Sequence, residues 1–162
     1  MAVCFAAVAP DTLARLRAAP GEIENYLQPD DGEGPPFETD VDKAWHGLHY
    51  LLTGRADGGR EPFSLAIYGG AELGPDIGLG PARLLTPEQV VRLAAALDSL
   101  TTDELTARFD PQDMQARAIY PDVIWVRDGN DALAYLLDNF ERMAEFYRDA
   151  AARGDGVLQW MC

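Results

Sequence analysis

Apolar residues recur at the period of an α-helix along the C-terminal part of the chain. Within Asn130–Arg153 they fall at spacings of four, three, four, three and four residues, as one face of an amphipathic helix requires. The residues of this stripe are Leu133, Leu137, Phe140, Ala144, Tyr147 and Ala151. The pattern predicts one long helix that buries the stripe in the core and ends at Gly154.

Capping residues predict three shorter helices before this long one. Thr86 is followed three residues later by Gln89, and Thr101 by Glu104. In each pair the hydroxyl can accept from the backbone of the third residue, whose side chain can reach back to the cap. An aspartate followed by a proline gives a third start signal at residue 110. The three predicted helices cover residues 86–97, 101–109 and 110–120.

Short apolar runs between turn residues predict strands. The predicted strands cover residues 2–8, 82–85 and 156–162, and further short helices are expected over residues 10–17, 21–27 and 62–68. The run DVIWV, residues 122–126, is either a strand or an apolar connector. Residues 70–81 are mostly Gly, Pro and Asp, which predicts a loop.

The segment DVDKAWHGLHYLLTG, residues 40–54, holds both histidines and the only lysine of the chain. Its apolar positions predict an amphipathic helix that ends at a glycine. On that helix four polar residues share one stripe beside the apolar face. They are Asp42, His46, His49 and Thr53.

Two imidazoles and a carboxylate on consecutive turns could hold a divalent metal. The zinc-enzyme pattern of two histidines four residues apart is absent, however, and the chain has no third histidine. The favoured interpretation is a half-buried His49, hydrogen-bonded at the margin of the core, with His46 outside. We therefore expect no metal and no cofactor.

Composition restricts the partners and the compartment. The 162 residues carry 27 acidic and 13 basic side chains, a net charge of −14, which argues against nucleic-acid binding. The chain has neither an apolar run long enough to cross a membrane nor a basic leader, so the bacterial cytoplasm is the expected location. A reducing cytosol favours free, buried thiols at Cys4 and Cys162, which could pair only if the terminal segments are neighbours.

An acidic segment, residues 28–40, has the Pro, Gly and acid content of a surface loop. One interpretation is a solvated loop that aids solubility. The other is an electrostatic landing site for a basic protein partner. The residues of that landing site would be Asp30, Asp31, Glu33, Glu38 and Asp40.

Other candidate chemistry is weaker. Ser64 and Ser99 lack the flanking glycines of a nucleophile elbow. The stretch GPDIGLGPAR, with Arg83 as an available cation, precedes a strand rather than following one, which favours a structural turn over a phosphate loop. The aromatic residues of the short elements could line a pocket, but core positions are favoured. They are Trp45, Tyr50, Tyr68, Trp125 and Trp160.

The motifs DKAWHGLHYLLTG, PFSLAIYGG and IYP, together with the long closing helix and last strand, resemble the YfbM-like family of uncharacterised bacterial proteins. The resemblance covers nearly the whole chain. It implies an α+β domain with a small sheet packed among helices, and it supplies no catalytic residues. It also implies that His49 is the characteristic histidine of the family and that His46 lies at a variable position.

We therefore predict one helix-rich α+β domain over residues 1–162, with the first and last strands paired in a small mixed sheet and the long helix packed on it. The predicted function is a non-enzymatic binding protein whose acidic surface engages a basic protein, in the manner of an inhibitor or immunity protein. The alternatives are an enzyme acting on a small molecule beside His49, with Asp42 or Lys43 as helpers, and a structural subunit. Convergence of those three side chains in one pocket would favour the enzyme.

Overall fold

A central antiparallel sheet brings the two ends of the chain together. The structure is a computed structural model, and it describes residues 1–29, 34–35 and 38–162. The strands of these residues are Val3–Val8 (β1), Glu38–Asp40 (β2), Ala71–Asp76 (β3), Pro81–Leu85 (β4) and Gly156–Met161 (β5). Their order is β2-β1-β5-β4-β3. The predicted pairing of the first and last strands is confirmed, although the described strands are all antiparallel instead of mixed.

Helices cover both faces of this sheet. In chain order they are Pro10–Ala18 (α1), Ile23–Leu27 (α2), Trp45–Thr53 (α3), Pro87–Asp98 (α4), Thr102–Ala107 (α5), Pro111–Ala116 (α6), Ile124–Asp128 (α7) and Asn130–Arg153 (α8). Side chains of β1 alternate between two apolar clusters, with Phe5 on the side of α8 and Ala6 on the side of α1. Because both faces of β1 are buried, its sequence is a continuous apolar run.

The capping signals predicted from the sequence are confirmed. Thr86 and Gln89 form a capping box at the start of α4, and Thr101 and Glu104 form one at the start of α5. Gly54 ends α3 in the left-handed conformation, with a φ of 70°. These signals are local, so neighbouring residues along the chain decide them.

The buried stripe of α8 differs slightly from the predicted one. The fully buried positions include Leu136, Met143 and Tyr147, whereas Leu133 and Leu137 are only partly buried. The helix is therefore rotated by about one residue from the expected orientation. Its core face is set by the elements packed on it, and the periodicity alone cannot fix that angle.

Two segments have a structure different from the expected one. Residues 71–76, expected as a loop, form the edge strand β3, in which only Leu73 is buried. An edge strand with one buried side chain lacks the alternation by which strands are recognised. Residues 122–126, expected as a strand or connector, lie mostly in α7, where Trp125 is buried while Val123 and Val126 stay exposed.

The chain ends are joined by a disulfide between Cys4 and Cys162. The expectation of free thiols is thus wrong for this structure. The reason is topological, because antiparallel pairing of β1 with β5 sets the two Cα atoms 6.3 Å apart, within bridging range. Among the described residues, no helix is both long and apolar enough to cross a membrane.

Candidate functional site

A cleft of about 410 Å³ lies beside α3, and we name it the α3–β4 cleft. Trp45 and His49, one turn apart on α3, line it together with residues 56–59, 64–65 and 67–70 and with Arg83 of β4. Its volume lies within the range of about 300–1,000 Å³ that is usual for ligand sites. The aromatic residues expected in the core fall into two groups. Trp45 and Tyr68 line this cleft, whereas the side chains of Trp125 and Trp160 are buried.

Unpaired polar atoms are concentrated in this cleft. Within residues 1–29, 34–35 and 38–162, four buried side-chain polar atoms have no hydrogen-bond partner. They are Nε1 of Trp45, Nε2 of His49, Nε of Arg83 and Oδ1 of Asn139. The first three belong to residues that line the α3–β4 cleft. Because buried polar groups are almost always paired in folded proteins, three such atoms on residues around one cleft make it the candidate functional site.

His49 is the most buried titratable group of the cleft, with 8% of its surface exposed. Burial is the main cause that lowers its pKa from 6.5, and the neighbouring His46 lowers it further. A backbone hydrogen bond with Gly58 and the negative charge of Asp57 oppose this shift without reversing it. The imidazole of His49 is therefore neutral at neutral pH.

His46 has a structural position, contrary to the expectation that it lies outside. Its ring is half-buried, and Nδ1 accepts a hydrogen bond of 2.9 Å from the backbone N–H of Tyr120. With Nδ1 as the acceptor, Nε2 carries the proton and donates to the carbonyl oxygen of Ala56 at 2.8 Å. Both nitrogens of His46 are thus engaged, and burial lowers its pKa.

Arg83 is held at the edge of the cleft by its terminal nitrogens. Nη2 donates to the carbonyl oxygen of Gly70 at 3.0 Å, and Nη1 lies 3.3 Å from a carboxylate oxygen of Glu72. The guanidinium carbon lies 5.2 Å from the centre of the Tyr68 ring, a cation–π distance. These contacts fix the side chain and leave Nε as the atom without a partner.

The stretch before Arg83 forms the structural turn that was expected. A carboxylate oxygen of Asp76 accepts hydrogen bonds from the backbone N–H groups of Gly78 and Gly80, at 2.7 and 2.9 Å. These bonds lower the pKa of Asp76. The backbone donors of the turn are therefore used internally, whereas the cation reaches the α3–β4 cleft.

Asp42 and Lys43 do not converge with His49. They line a separate pocket of about 300 Å³, in which a carboxylate oxygen of Asp42 accepts from the hydroxyl of Tyr135 at 2.9 Å. That bond helps raise the pKa of Tyr135, for which burial is the larger cause. Within the described part of the chain, no group of three or more His, Cys, Asp or Glu side chains is placed to hold a metal.

The acidic segment is described only in part. Asp30, Asp31 and Glu33 lie outside the described residues. Glu38 and Asp40, expected in a loop, are exposed residues of the edge strand β2. Burial, followed by the negative charge of Asp40, raises the pKa of Glu38.

Gln159 is a structural support of the cleft that the sequence analysis missed. It is fully buried on β5, and its Nε2 donates to the carbonyl oxygen of Leu65 at 2.8 Å and to the hydroxyl of Tyr147 at 3.0 Å. Its Oε1 accepts from the backbone N–H of Gly69 at 3.1 Å. Since Leu65 and Gly69 line the cleft, this amide fixes one of its walls. The only signal was a glutamine inside an apolar strand.

Comparisons with known proteins agree with this fold. The family described as "Domain of unknown function (DUF1877)" matches residues 1–160 of the chain. The chain is also similar to the crystal structure of YfbM from Escherichia coli, described as a protein of unknown function, with a TM-score of 0.75. The sequence identity is 24%, and the match covers 98% of each chain. This likeness shows a shared fold. No curated protein matches the chain.

Proposed function

We propose a function from the site alone, because the chain belongs to the DUF1877 family, whose description names no activity. The proposed function is the binding of a small polar molecule in the α3–β4 cleft. The observation that carries it is the grouping of three unpaired buried polar atoms, on Trp45, His49 and Arg83, around one cavity.

Each of those three atoms loses its hydrogen bonds to water when the chain folds. A buried donor or acceptor without a partner costs roughly 1 to 3 kcal/mol, because its hydrogen bonds to water are not replaced. A ligand with matching groups would offset that cost for Trp45, His49 and Arg83 together. The fourth unpaired atom, on Asn139, does not belong to a residue of this cleft.

Binding is proposed here without catalysis. An enzyme beside His49 would need a second reactive group, and the helpers expected from the sequence, Asp42 and Lys43, line another pocket. The neutral imidazole of His49 is suited to accept or donate one hydrogen bond to a ligand.

Ligand-observed NMR with a library of small polar metabolites tests the proposal on the full chain. Compounds that bind the wild type should be lost from the triple variant Trp45→Phe, His49→Leu, Arg83→Met. They should still bind the control variant Asn139→Leu, which removes the unpaired atom outside the cleft. Equal binding to the triple variant would locate the compounds elsewhere, and a library without hits would contradict the proposal.

A second candidate function is the engagement of a basic protein by the acidic segment in the cytoplasm. Exposure of Glu38 and Asp40 on an edge strand supports it, because edge strands and like charges are both used for protein recognition. The test is a pull-down from bacterial lysate at low and at high salt. Neutralising Glu38 and Asp40 together with Asp30, Asp31 and Glu33 should abolish recovery of a salt-sensitive basic partner and leave folding unchanged.

A further inference from the structure

The α3–β4 cleft offers unpaired donors and an unpaired acceptor to the same ligand. The indole nitrogen of Trp45 and Nε of Arg83 carry hydrogens at every physiological pH, so both are obligatory donors. His49 differs, because its neutral ring has one donor and one acceptor nitrogen. Nε2 has no hydrogen-bond partner, and we assign the ring proton to Nδ1, the nitrogen left for the backbone interaction with Gly58, which makes Nε2 an acceptor.

The residues that line the cleft also carry charges of both signs. Among the described residues that line it, Arg83 carries the one positive charge and Asp57 the one negative charge. A simple anion would be attracted by Arg83 and repelled by Asp57, and a simple cation would meet the reverse. A molecule with one group of each sign satisfies both residues.

The other residues that line the cleft, and its volume, indicate the size of such a molecule and the polarity of its remaining part. Leu65, Ile67 and the Tyr68 ring supply apolar surface, and glycine backbone lines the cleft at residues 58–59 and 69–70. The volume of about 410 Å³ is large enough for a compact metabolite.

We infer that the ligand of the α3–β4 cleft is a free α-amino acid with an apolar side chain, an inference that rests on the proposed function. Its carboxylate accepts hydrogen bonds from Nε1 of Trp45 and Nε of Arg83. Its ammonium group donates to Nε2 of His49 and faces the carboxylate of Asp57. Its side chain packs against Leu65 and neighbouring apolar residues.

Isothermal titration of the full chain with each of the twenty standard amino acids tests this inference. We expect at least one apolar amino acid to bind. The tightest binder is then compared with two analogues, the carboxylic acid that lacks its amino group and the amine that lacks its carboxyl group. Each analogue should bind at least about tenfold more weakly, because each leaves one set of partners unpaired.

Two variants test which group of the ligand contacts Asp57 and which contacts Arg83. Asp57→Asn should reduce the preference for the amino acid over its deaminated analogue several-fold, whereas Arg83→Gln should weaken the binding of both. The matched controls are Glu141→Gln and Arg142→Gln, exposed residues of α8 outside the cleft, and neither should alter binding. Thermal unfolding of each variant confirms that it is folded.

The outcomes separate the two proposals. If an analogue binds as tightly as the amino acid, or only metabolites of other classes bind, the amino-acid inference is overturned and small-molecule binding stands. If the twenty amino acids, their analogues and the polar library all fail to bind, both proposals fall.

Discussion

The indole ring of Trp45 lies flat against the imidazole of His46, with 4.8 Å between the ring centroids and 6° between the ring planes. Tyr120 extends the stack from the indole, at 5.8 Å, and its backbone N–H donates to the same imidazole. The stack therefore ties the first turn of α3 to the segment after α6. Because Trp45 lines the α3–β4 cleft, His46 positions a wall of the cleft from outside it.

Replacing His46 with phenylalanine should destabilise the protein although the stack is kept. The substitution removes both hydrogen bonds of the imidazole and leaves the N–H of Tyr120 and the carbonyl of Ala56 without partners. We expect the free energy of unfolding to fall by roughly 1 to 3 kcal/mol, as for other unpaired buried groups. Urea unfolding measures it, and a change below about 0.5 kcal/mol would refute the structural role.

Replacing His49 with leucine should affect ligand binding more than stability. Leucine has a similar volume and removes the unpaired Nε2 atom, although the hydrogen bond with Gly58 is lost. We expect stability to change by no more than about 1 kcal/mol in either direction, while ligand binding is lost. Paired urea unfolding and calorimetric titration check both parts. A loss above about 2 kcal/mol would identify His49 as a structural residue.

Stability should fall as the solution becomes mildly acidic. Burial lowers the pKa of both His46 and His49 in the folded chain, so the unfolded chain, with an ordinary histidine pKa near 6.5, binds these protons more readily. The free energy of unfolding must then decrease as the pH falls through about 6.5 toward the lowered pKa values.

The measurement is urea unfolding at about pH 7 and about pH 5, a window above the titration of most carboxylates. Asp76, Glu104 and Asp113 have lowered pKa values and titrate below this window. The double variant His46→Phe, His49→Leu should lose most of the pH dependence. An equally steep dependence in that variant would assign the effect to other groups.

Gly47 should not tolerate a methyl group. A Cβ atom built there would lie 2.6 Å from the ring of Trp125 and 2.7 Å from Leu136, inside the core. We expect Gly47→Ala to cost roughly 1 to 3 kcal/mol through overpacking, against the gain in helix propensity. Gly21→Ala is the control, because nothing lies within 4 Å of its Cβ position, and it should be neutral or slightly stabilising. Equal stabilities would mean that α7 shifts to make room.

Local chemistry made most of the fold predictable from the sequence. The caps at Thr86 and Thr101, the terminating Gly54 and the length of α8 depend on residues within a few positions of one another, and all are confirmed. The predicted pairing of the first and last strands is confirmed as well.

The α3–β4 cleft was not predictable in the same way. The sequence raised His49 and Arg83 as separate candidates, but they lie on a helix and a strand that only the tertiary fold brings together. Residues 71–76 were missed because an edge strand does not need buried side chains. The helix α7 was missed because Trp125 is buried in the core next to Gly47 of α3, which periodicity within five residues does not reveal.

The position of β5 in the middle of the sheet imposes an order of assembly. It follows the other four described strands in the sequence, yet it separates β1 from β4, and its Gln159 holds the cleft wall at Leu65 and Gly69. During synthesis the earlier strands therefore cannot close into one sheet before this segment has emerged. The wall of the α3–β4 cleft that Gln159 holds cannot form before β5 has paired, and a chain that lacks β5 would expose the unpaired edges of β1 and β4 to self-association.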